Sequence, residues 1–435
     1  MLDSKFFNPE EALSRAEIEA LQLERLQATV KHCMNSAFYK KRFEENGLKP
    51  EDIKTLDDLK KIPFTTKQDL RDTYPFGIAS APLKDCIRLH SSSGTTGNPT
   101  VILHTKRDIE QWANAVARCL WMVGCRPDDV FQNTSGYGMF TGGLGFQYGA
   151  EKLGMLTVPA AAGNTLRQLK FFTDFGTTVV HAIPSYAARL YEVMCERGID
   201  PRKDTKLRTL VIGAEPHSED TRKRIEDMLG VKAYNSFGMS EMMGPGVAFE
   251  CPEQNGMHIW EDYYIVEIVD PDTLEPVPDG EIGELVLTTI NREAMPLIRY
   301  RTRDLTRLHA ERCKCGRTIR VMDRIKARSD DMLIVHGVNL FPSQVETALL
   351  SVPEVEPHYQ IILTPTETLD LFEIKVEIKP ESFSDNIRAL ESLRKKVFLA
   401  VKQIIGLSPK ITLVEPGSLP RSEGKIRRVI DNRKS

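Results

Sequence analysis

No stretch of about eighteen uninterrupted apolar residues occurs in the 435-residue chain, so the sequence offers no membrane-spanning helix. A charge surplus is also missing. The 58 Lys and Arg face 61 Asp and Glu, a formal net charge of −3, which gives no argument for nucleic acid or an anionic membrane as principal partner. The opening residues 1–9 hold no apolar run of signal-peptide length, and the chain is expected to be cytoplasmic. Neither an internal repeat nor a low-complexity tract is present. Eight cysteines without a secretory signal do not read as a disulfide framework. Five of them (Cys33, Cys86, Cys119, Cys125 and Cys195) stand in apolar or helical contexts, where a small buried hydrophobe is the expected role.

What is present is the composition of a globular protein with a real core, 41% hydrophobic and 27% charged. The length exceeds one typical domain and suits a large first domain with a smaller second. Residues 9–47 read as helix, with Ile18, Leu21, Leu23, Leu26 and Val30 at helical spacing and Gly47 ending the run. From about residue 87 to 244, short apolar strands such as 177–183 and 209–213 alternate with amphipathic helices, the pattern of α/β layers. From residue 263 the rhythm becomes antiparallel, with strands 264–269 and 284–288 joined through the turn at Pro278, Asp279 and Gly280. After a charged segment at 328–331, a compact α+β pattern follows: a short strand, a helix from Ser343, two strands over 359–378, a helix over 386–405 and a strand at 410–414. The expected fold class is therefore α/β, with a large N-terminal domain (1–328) of α/β layers plus an antiparallel β section. A small α+β C-terminal domain (329–435) completes it.

The most informative segment is Ser91-Ser92-Ser93-Gly94-Thr95-Thr96-Gly97-Asn98-Pro99-Thr100. Glycines let the backbone curl so that successive N–H groups converge, and hydroxyls add donors at the rim, which makes a nest for phosphate. A solvated Ser/Gly turn is the plainer reading of such a run. The Thr-Thr-Gly core favours phosphate, while the absence of a Lys-Ser/Thr ending excludes the P-loop of Walker type.

Further motifs follow in order: Ser236-Phe237-Gly238-Met239-Ser240-Glu241, Tyr300-Arg301-Thr302-Arg303-Asp304 and Arg328-Ser329-Asp330-Asp331. Then come His336-Gly337-Val338-Asn339-Leu340-Phe341-Pro342-Ser343 and Pro420-Arg421-Ser422-Glu423-Gly424-Lys425-Ile426. On these motifs the chain resembles, over essentially its whole length, the acyl-adenylate-forming acyl-CoA synthetases, and within them the phenylacetate–CoA ligase branch. The resemblance implies ATP-dependent conversion of an aryl carboxylic acid to acyl-AMP and then to a coenzyme A thioester, in a pathway of aromatic acid breakdown. It also implies ATP, Mg²⁺ and coenzyme A as cofactors, and a homodimer as the assembly.

The residue roles it implies suit the chemistry. Ser92, Ser93, Gly94, Thr95, Thr96 and Gly97 would hold phosphates, and Glu241 would ligate Mg²⁺, an ion that prefers hard oxygen donors. Asp304 would bind the ribose diol, since two carboxylate oxygens match two vicinal hydroxyls. Phe237 would flank adenine, with Gly213, Ala214, Glu215 and Pro216 as the opposite wall at a strand end. Asn235, Ser236, Gly238, Met239, Ser240 and Arg328 complete the expected nucleotide contacts. Lys425 would carry adenylation, its ammonium bridging substrate carboxylate and α-phosphate. Asp330 matches the hinge, which by the resemblance makes the small α+β C-terminal domain mobile, and Gly337 matches the glycine beside pantetheine. Thr100 departs from the lysine usual in the wider superfamily, as the phenylacetate branch does. Each residue has a plainer alternative: a helix-start carboxylate for Glu241, a turn aspartate for Asp304 and a solvated tail charge for Lys425.

For the acyl pocket, residues 131–143 mix rings with glycines and contain no Asp or Glu to hold an amino group, which suits a flat apolar acid. Tyr137 and Phe140 are the expected walls, with Gly213 beside them, although either ring alone could simply pack the core. A second constellation joins Cys251 and His258 to Cys313 and Cys315. Four soft or borderline ligands in two pairs are what tetrahedral structural zinc takes, while packed thiols and an ordinary core histidine are the alternative. Two other functions compete with a coenzyme A ligase: adenylation followed by transfer to a carrier protein, and a non-catalytic nucleotide-binding regulator. Retention of Lys425, Glu241 and Asp304 ranks the regulator lower. A short C-terminal domain with no appended carrier favours free coenzyme A.

Overall fold

The structure, a computed structural model, describes residues 5–91, 99–139, 141–215, 217–330, 333–336, 338–366, 370–383, 386–421 and 428–434. Its centre is an eight-stranded sheet in the spatial order Val321–Met322, Met257–Ile259, Gly244–Glu250, Lys232–Met239, Thr209–Gly213, Val179–Ala182, Val130–Asn133 and Leu156–Val158. The five strands from Lys232–Met239 to Leu156–Val158 run parallel, and the other three join antiparallel. Val179–Ala182 and Thr209–Gly213 are buried along their whole length, as strands covered on both faces must be.

Alternation of side chains sorts those strands between two helix layers. Val179 and Val211 pack with helices Lys106–Met122 and Thr141–Leu153. Val180, Ala182, Leu210 and Ile212 pack with helices Thr165–Asp174, Pro184–Glu196 and Glu219–Leu229. This is the expected α/β layering. A four-stranded antiparallel sheet follows, in the order Tyr264–Val269, Gly283–Thr289, Tyr300–Thr306 and Ala327–Arg328. Its first pair registers Tyr264 on Thr289 and Val269 on Glu284, and Gly280 takes φ +92° in the connection.

Residues of 333–411 bury an apolar cluster of their own, from Leu333 and Val335 to Ile411. Strands Lys410–Val414, Leu371–Ile378, Val355–Thr364 and Val429–Asp431 make its sheet, alongside helices Pro342–Leu350 and Ile387–Ile405. Among the described residues no helix is long and apolar enough to cross a membrane.

Three expectations need correction. Residues 9–47 are not one helix but a 3₁₀ turn, Pro9–Ala12, and two helices, Arg15–Cys33 and Ala37–Glu45. The Ser14 side chain caps the first helix by accepting from the Glu17 N–H, and Ser36 N–H closes its end on Cys33 O at 2.9 Å. The buried stripe of that helix runs Ile18, Gln22, Leu26, Val30, so Leu21 and Leu23 lie only partly buried beside it. Gln22 is satisfied inside by donating to the carbonyls of Glu261 (2.9 Å) and Tyr264 (3.1 Å). Strands Cys86–Ser91 and Val101–Thr105 form an antiparallel hairpin rather than opening the parallel series. Of the five cysteines expected as buried hydrophobes, Cys33, Cys119 and Cys125 are buried. Cys86 is half-buried and Cys195 is exposed on the outer side of its helix.

Candidate active site

The parallel strands Thr209–Gly213 and Lys232–Met239 end side by side, with Gly213 registered on Ser236. Contact there is so close that a Cβ on Gly213 would lie 2.3 Å from the Ser236 carbonyl oxygen, which only glycine avoids. The chain then turns through Ala214 at φ +65°, and the Glu215 carboxylate accepts from the Ser185 N–H (3.2 Å) and Oγ (3.1 Å). On the adjacent strand, Asn235 and Ser236 are buried, Phe237 is half-buried and Gly238 is exposed. Asn235 N–H donates to Glu250 Oε2 at 2.8 Å. Met239 is half-buried, and Ser240 Oγ lies 3.4 Å from Thr141 Oγ1. The strand end thus presents a ring, a bare backbone position and hydroxyls at one edge of the sheet, where α/β sheets bind ligands.

Glu241 follows in the 3₁₀ turn Ser240–Met242 and is 5% exposed. Its carbonyl accepts from Arg292 Nη1 at 2.5 Å, and its Oε1 lies 3.7 Å from Lys67 Nζ. Asp304 sits on strand Tyr300–Thr306, registered on Arg328 across the antiparallel pair. Arg328 Nη1 donates to Asp304 Oδ1 at 3.0 Å, while its Nε and Nη2 donate to the two Asp330 oxygens at 2.9 and 3.0 Å. Burial pushes the Asp304 carboxyl up to about 6, against the pull of Arg328.

Near the expected acyl wall, Tyr137 Oη accepts from Asn133 Nδ2 at 3.3 Å, and the same amide donates to the Gly143 carbonyl at 2.6 Å. A Cβ on Gly143 would lie 2.5 Å from the Gly136 carbonyl oxygen. Glycine there lets the loop fold onto the start of helix Thr141–Leu153. His181 Nδ1 meets Ser135 Oγ at 3.0 Å and Asn133 Oδ1 at 3.2 Å, and its ring stacks on Phe146 with centroids 3.9 Å apart. Burial lowers the His181 imidazole to about 3, so it is neutral at physiological pH.

The second constellation comes together. Cys251, His258, Cys313 and Cys315 bring one potential ligand atom each within 4.8 Å of all the others. Cys251 Sγ lies 3.6 Å from Cys313 Sγ, and Cys315 Sγ lies 3.2 Å from His258 Nε2. The strand Met257–Ile259 carries His258 beside Val321, and the Cys313–Cys315 loop precedes that partner strand.

Residues 92–97, Phe140, Pro216, Gly337 and Lys425 lie outside the described residues. Sequence reasoning missed Lys67, Arg292 and His181, which reach their places through pairings between residues far apart in the chain. Only His181 left a trace, at the end of an apolar strand.

Residues 17–291 match the AMP-binding enzyme family, and residues 337–433 match the AMP-binding enzyme C-terminal domain. The phenylacetate-coenzyme A ligase of Thermus thermophilus is 47% identical over 98% of this chain and 100% of its own. That of Escherichia coli is 44% identical over 100% of this chain and 99% of its own. Among solved structures, 2-hydroxyisobutyryl-CoA ligase in its postadenylation state with 2-HIB-AMP is 30% identical. It superposes with a TM-score of 0.94 over 100% of this chain and 94% of that one. The same ligase with 2-HIB-AMP and CoA in the thioesterification state gives 0.73 over 99% and 93%. The chain belongs to the phenylacetate–coenzyme A ligase family of AMP-binding enzymes.

Proposed function

We propose that this chain joins phenylacetate, or a related arylacetic acid, to coenzyme A in two steps. A carboxylate oxygen attacks the α-phosphorus of ATP, the bond to the β-phosphate breaks, and acyl-AMP and pyrophosphate form. The coenzyme A sulfur, having lost its proton, then attacks the acyl carbon, and AMP leaves with the bonding pair. The observation that carries the substrate class is similarity over the whole length to phenylacetate-coenzyme A ligases.

Residues 92–97 are assigned to the phosphates, and Asp304 to the ribose diol. Phe237 is assigned to one face of adenine, with Gly213, Ala214, Glu215 and Pro216 on the other. Asn235, Ser236, Gly238, Met239 and Ser240 edge the same site. In support, Gly213 and Ser236 register on adjacent strands, and the nearly buried Asp304 carboxylate is oriented by Arg328. Glu241 is assigned to Mg²⁺, and its secluded carboxylate is a hard oxygen donor of the kind that ion takes. The ion supplies neutralisation of phosphate charge. Lys425 is assigned to the carboxylate and α-phosphate during adenylation, Gly337 to pantetheine, and Tyr137 and Phe140 to the acyl wall.

Two units, 1–328 and 329–435, with Asp330 as hinge, accord with the separate apolar cluster of the second. The higher TM-score against the postadenylation form supports that orientation of the two units here.

Cys251, His258, Cys313 and Cys315 are assigned to structural zinc. A tetrahedral site with Zn–S bonds of about 2.3 Å has S···S edges of about 3.8 Å, and the Cys251–Cys313 separation of 3.6 Å fits. With four protein ligands the site is closed, so its role is to tie the loop 313–315 to strand Met257–Ile259.

The test is incubation of purified protein with ATP, Mg²⁺, coenzyme A and a panel of aryl acids. Phenylacetyl-CoA with AMP and pyrophosphate is expected. Release of ADP and phosphate overturns the mechanism, and preference for a non-aryl acid overturns the substrate.

A further inference from the structure

The strand that carries Asp304 also anchors a segment more than two hundred residues earlier. Thr65 bridges to Tyr300: its N–H donates to Arg299 O at 3.0 Å, and its carbonyl accepts from Arg301 N–H at 2.9 Å. Its buried hydroxyl donates to Ile298 O at 2.7 Å. Next to it, Thr66 caps the helix Lys67–Asp72 by accepting from Asp69 N–H, and Arg42 holds Phe64 O at 2.7 Å and Asp69 at 2.8 Å. Lys67, the first residue of that helix, is therefore fixed against the same strand as the nucleotide residues.

Its ammonium lies 3.7 Å from Glu241 Oε1. The Glu241 side chain is 7% exposed and that of Lys67 43%, so the carboxylate is secluded while the lysine side chain remains accessible to solvent. The Tyr300 phenol lies within the same field. Burial raises it most, Glu241 and Asp304 raise it further, and Arg328 and Arg71 oppose them. Arg71 is one turn along the Lys67 helix, so that helix brings positive charge toward the site.

Nothing in residues 91–100 supplies such charge, because the loop contains hydroxyls, glycines, Asn98 and Pro99 but no lysine or arginine. Backbone and hydroxyl donors orient a triphosphate without offsetting its charge; a fixed ammonium does both.

We propose that Lys67 binds the terminal phosphates of ATP and the departing pyrophosphate. On nucleotide binding it exchanges its ion pair with Glu241 for phosphate oxygens, leaving Glu241 to the metal. No bond to Lys67 forms or breaks; it stabilises the charge left on pyrophosphate as the α–β bond cleaves. The inference rests on the AMP-forming reading above.

The test measures calorimetric affinity for Mg-pyrophosphate, Mg-ATP and AMP. It also follows ATP–pyrophosphate exchange and thiolysis of pre-formed acyl-AMP, in wild type, Lys67→Ala and Lys67→Arg. Lys67→Ala is expected to weaken pyrophosphate and ATP binding about 10- to 100-fold, the scale of a charge-assisted contact. Exchange should slow at least as much, AMP affinity and thiolysis should stay within about twofold, and Lys67→Arg should recover most of the loss. Unchanged pyrophosphate affinity in Lys67→Ala overturns the inference. So does an equal fall in AMP and pyrophosphate affinity with lower thermal stability, which would make the residue a scaffold. Wild-type protein without exchange overturns the ligase reading as well, whereas exchange with unaltered pyrophosphate affinity removes Lys67 alone.

Discussion

Arg328 holds Asp304 by a hydrogen bond of 3.0 Å while gripping Asp330 with its other edge at 2.9 and 3.0 Å. One guanidinium thus joins the carboxylate assigned to ribose and the residue assigned to the hinge. Its planar fork allows this, presenting Nη1 to one carboxylate and the Nε–Nη2 edge to the other, a bidentate geometry that a lysine ammonium lacks. If Asp304 binds ribose and Asp330 is the hinge, as assigned, this guanidinium is the physical contact between the two roles.

The first prediction is a pH dependence. Burial raises Asp304 to about 6, above an ordinary aspartate. The sign follows: the fold disfavours the ionised form, so the cost in stability builds as the pH rises from the ordinary aspartate value of 3.8 to about 6, is complete above that, and disappears below the ordinary value. Binding runs the opposite way, because only the carboxylate offers two acceptors to a diol. KM for ATP should rise as the pH falls through about 6, and Asp304→Asn should flatten that limb while raising KM at neutral pH. A KM profile from pH 5 to 8 decides it; an unchanged limb in Asp304→Asn would assign the titration elsewhere.

Removing Arg328 should move the same limb. Its charge pulls Asp304 down against burial, so Arg328→Ala shifts the acid limb of KM toward neutral pH. Loss of the grip on Asp330 should also change the ratio of the adenylation and thiolysis rates. An acid limb at the wild-type position would show that Arg328 does not govern Asp304.

Much of the fold was legible because its signals are local. Thr209–Gly213 is an unbroken apolar run, and the pair Tyr264–Val269 and Gly283–Thr289 is punctuated by a Pro/Asp/Gly turn. The early helix failed where a local cap competes with periodicity: Ser14 starts a helix inside a pattern that reads as continuous. The buried place of Gln22 has a different cause. A polar residue looks like a surface residue until Glu261 and Tyr264, 239 and 242 positions away, provide carbonyls for it. Lys67 is the sharpest case. A lysine after Thr66 reads as a solvated helix start, and only the bridge from Thr65 to Tyr300 brings it to Glu241. Cys251, His258, Cys313 and Cys315 were easier, since thiol and imidazole pairs beside strands announce convergence by their chemistry.

Gly143 supports the loop assigned to the acyl pocket. A Cβ there would meet the Gly136 carbonyl oxygen at 2.5 Å and the Tyr137 ring at 3.3 Å. Backbone cannot yield as a flexible side chain can, so Gly143→Ala should destabilise the fold by about 1–3 kcal/mol. Displacement of Tyr137 should raise KM for the aryl acid more than KM for ATP. Equal rises in both would place the defect outside the acyl pocket.

Lys425, assigned to adenylation, is expected to separate the half-reactions. Lys425→Ala should slow acid-dependent pyrophosphate exchange by about 3–4 kcal/mol in barrier, the scale for removing one group aimed at transition-state charge. Thiolysis of supplied acyl-AMP should be nearly unchanged, because that step forms no bond at phosphorus and needs no charge bridging carboxylate and α-phosphate. Parallel loss of both would make the lysine structural.

The zinc assignment makes the last prediction. Cys251 and His258 belong to one side of the sheet edge, and Cys313 and Cys315 to a loop more than fifty residues further on, yet their ligand atoms fall within 4.8 Å of each other. The contact between Cys251 and Cys315 pulls the Cys315 thiol below its ordinary value and pushes Cys251 above it. A divalent ion would stabilise the thiolates and link the folding of this region to metal binding. Protein purified without a His-tag should therefore carry about one zinc per chain, as a single four-ligand site requires. Cys313→Ser should lose the metal and lower Tm, while ATP affinity stays close to wild type because the donor set is separate from Glu241 and Asp304. Chelation should reproduce the fall in Tm in wild type and have no further effect in Cys313→Ser. Metal-free protein of undiminished Tm would reduce the four residues to packed thiols and a core histidine.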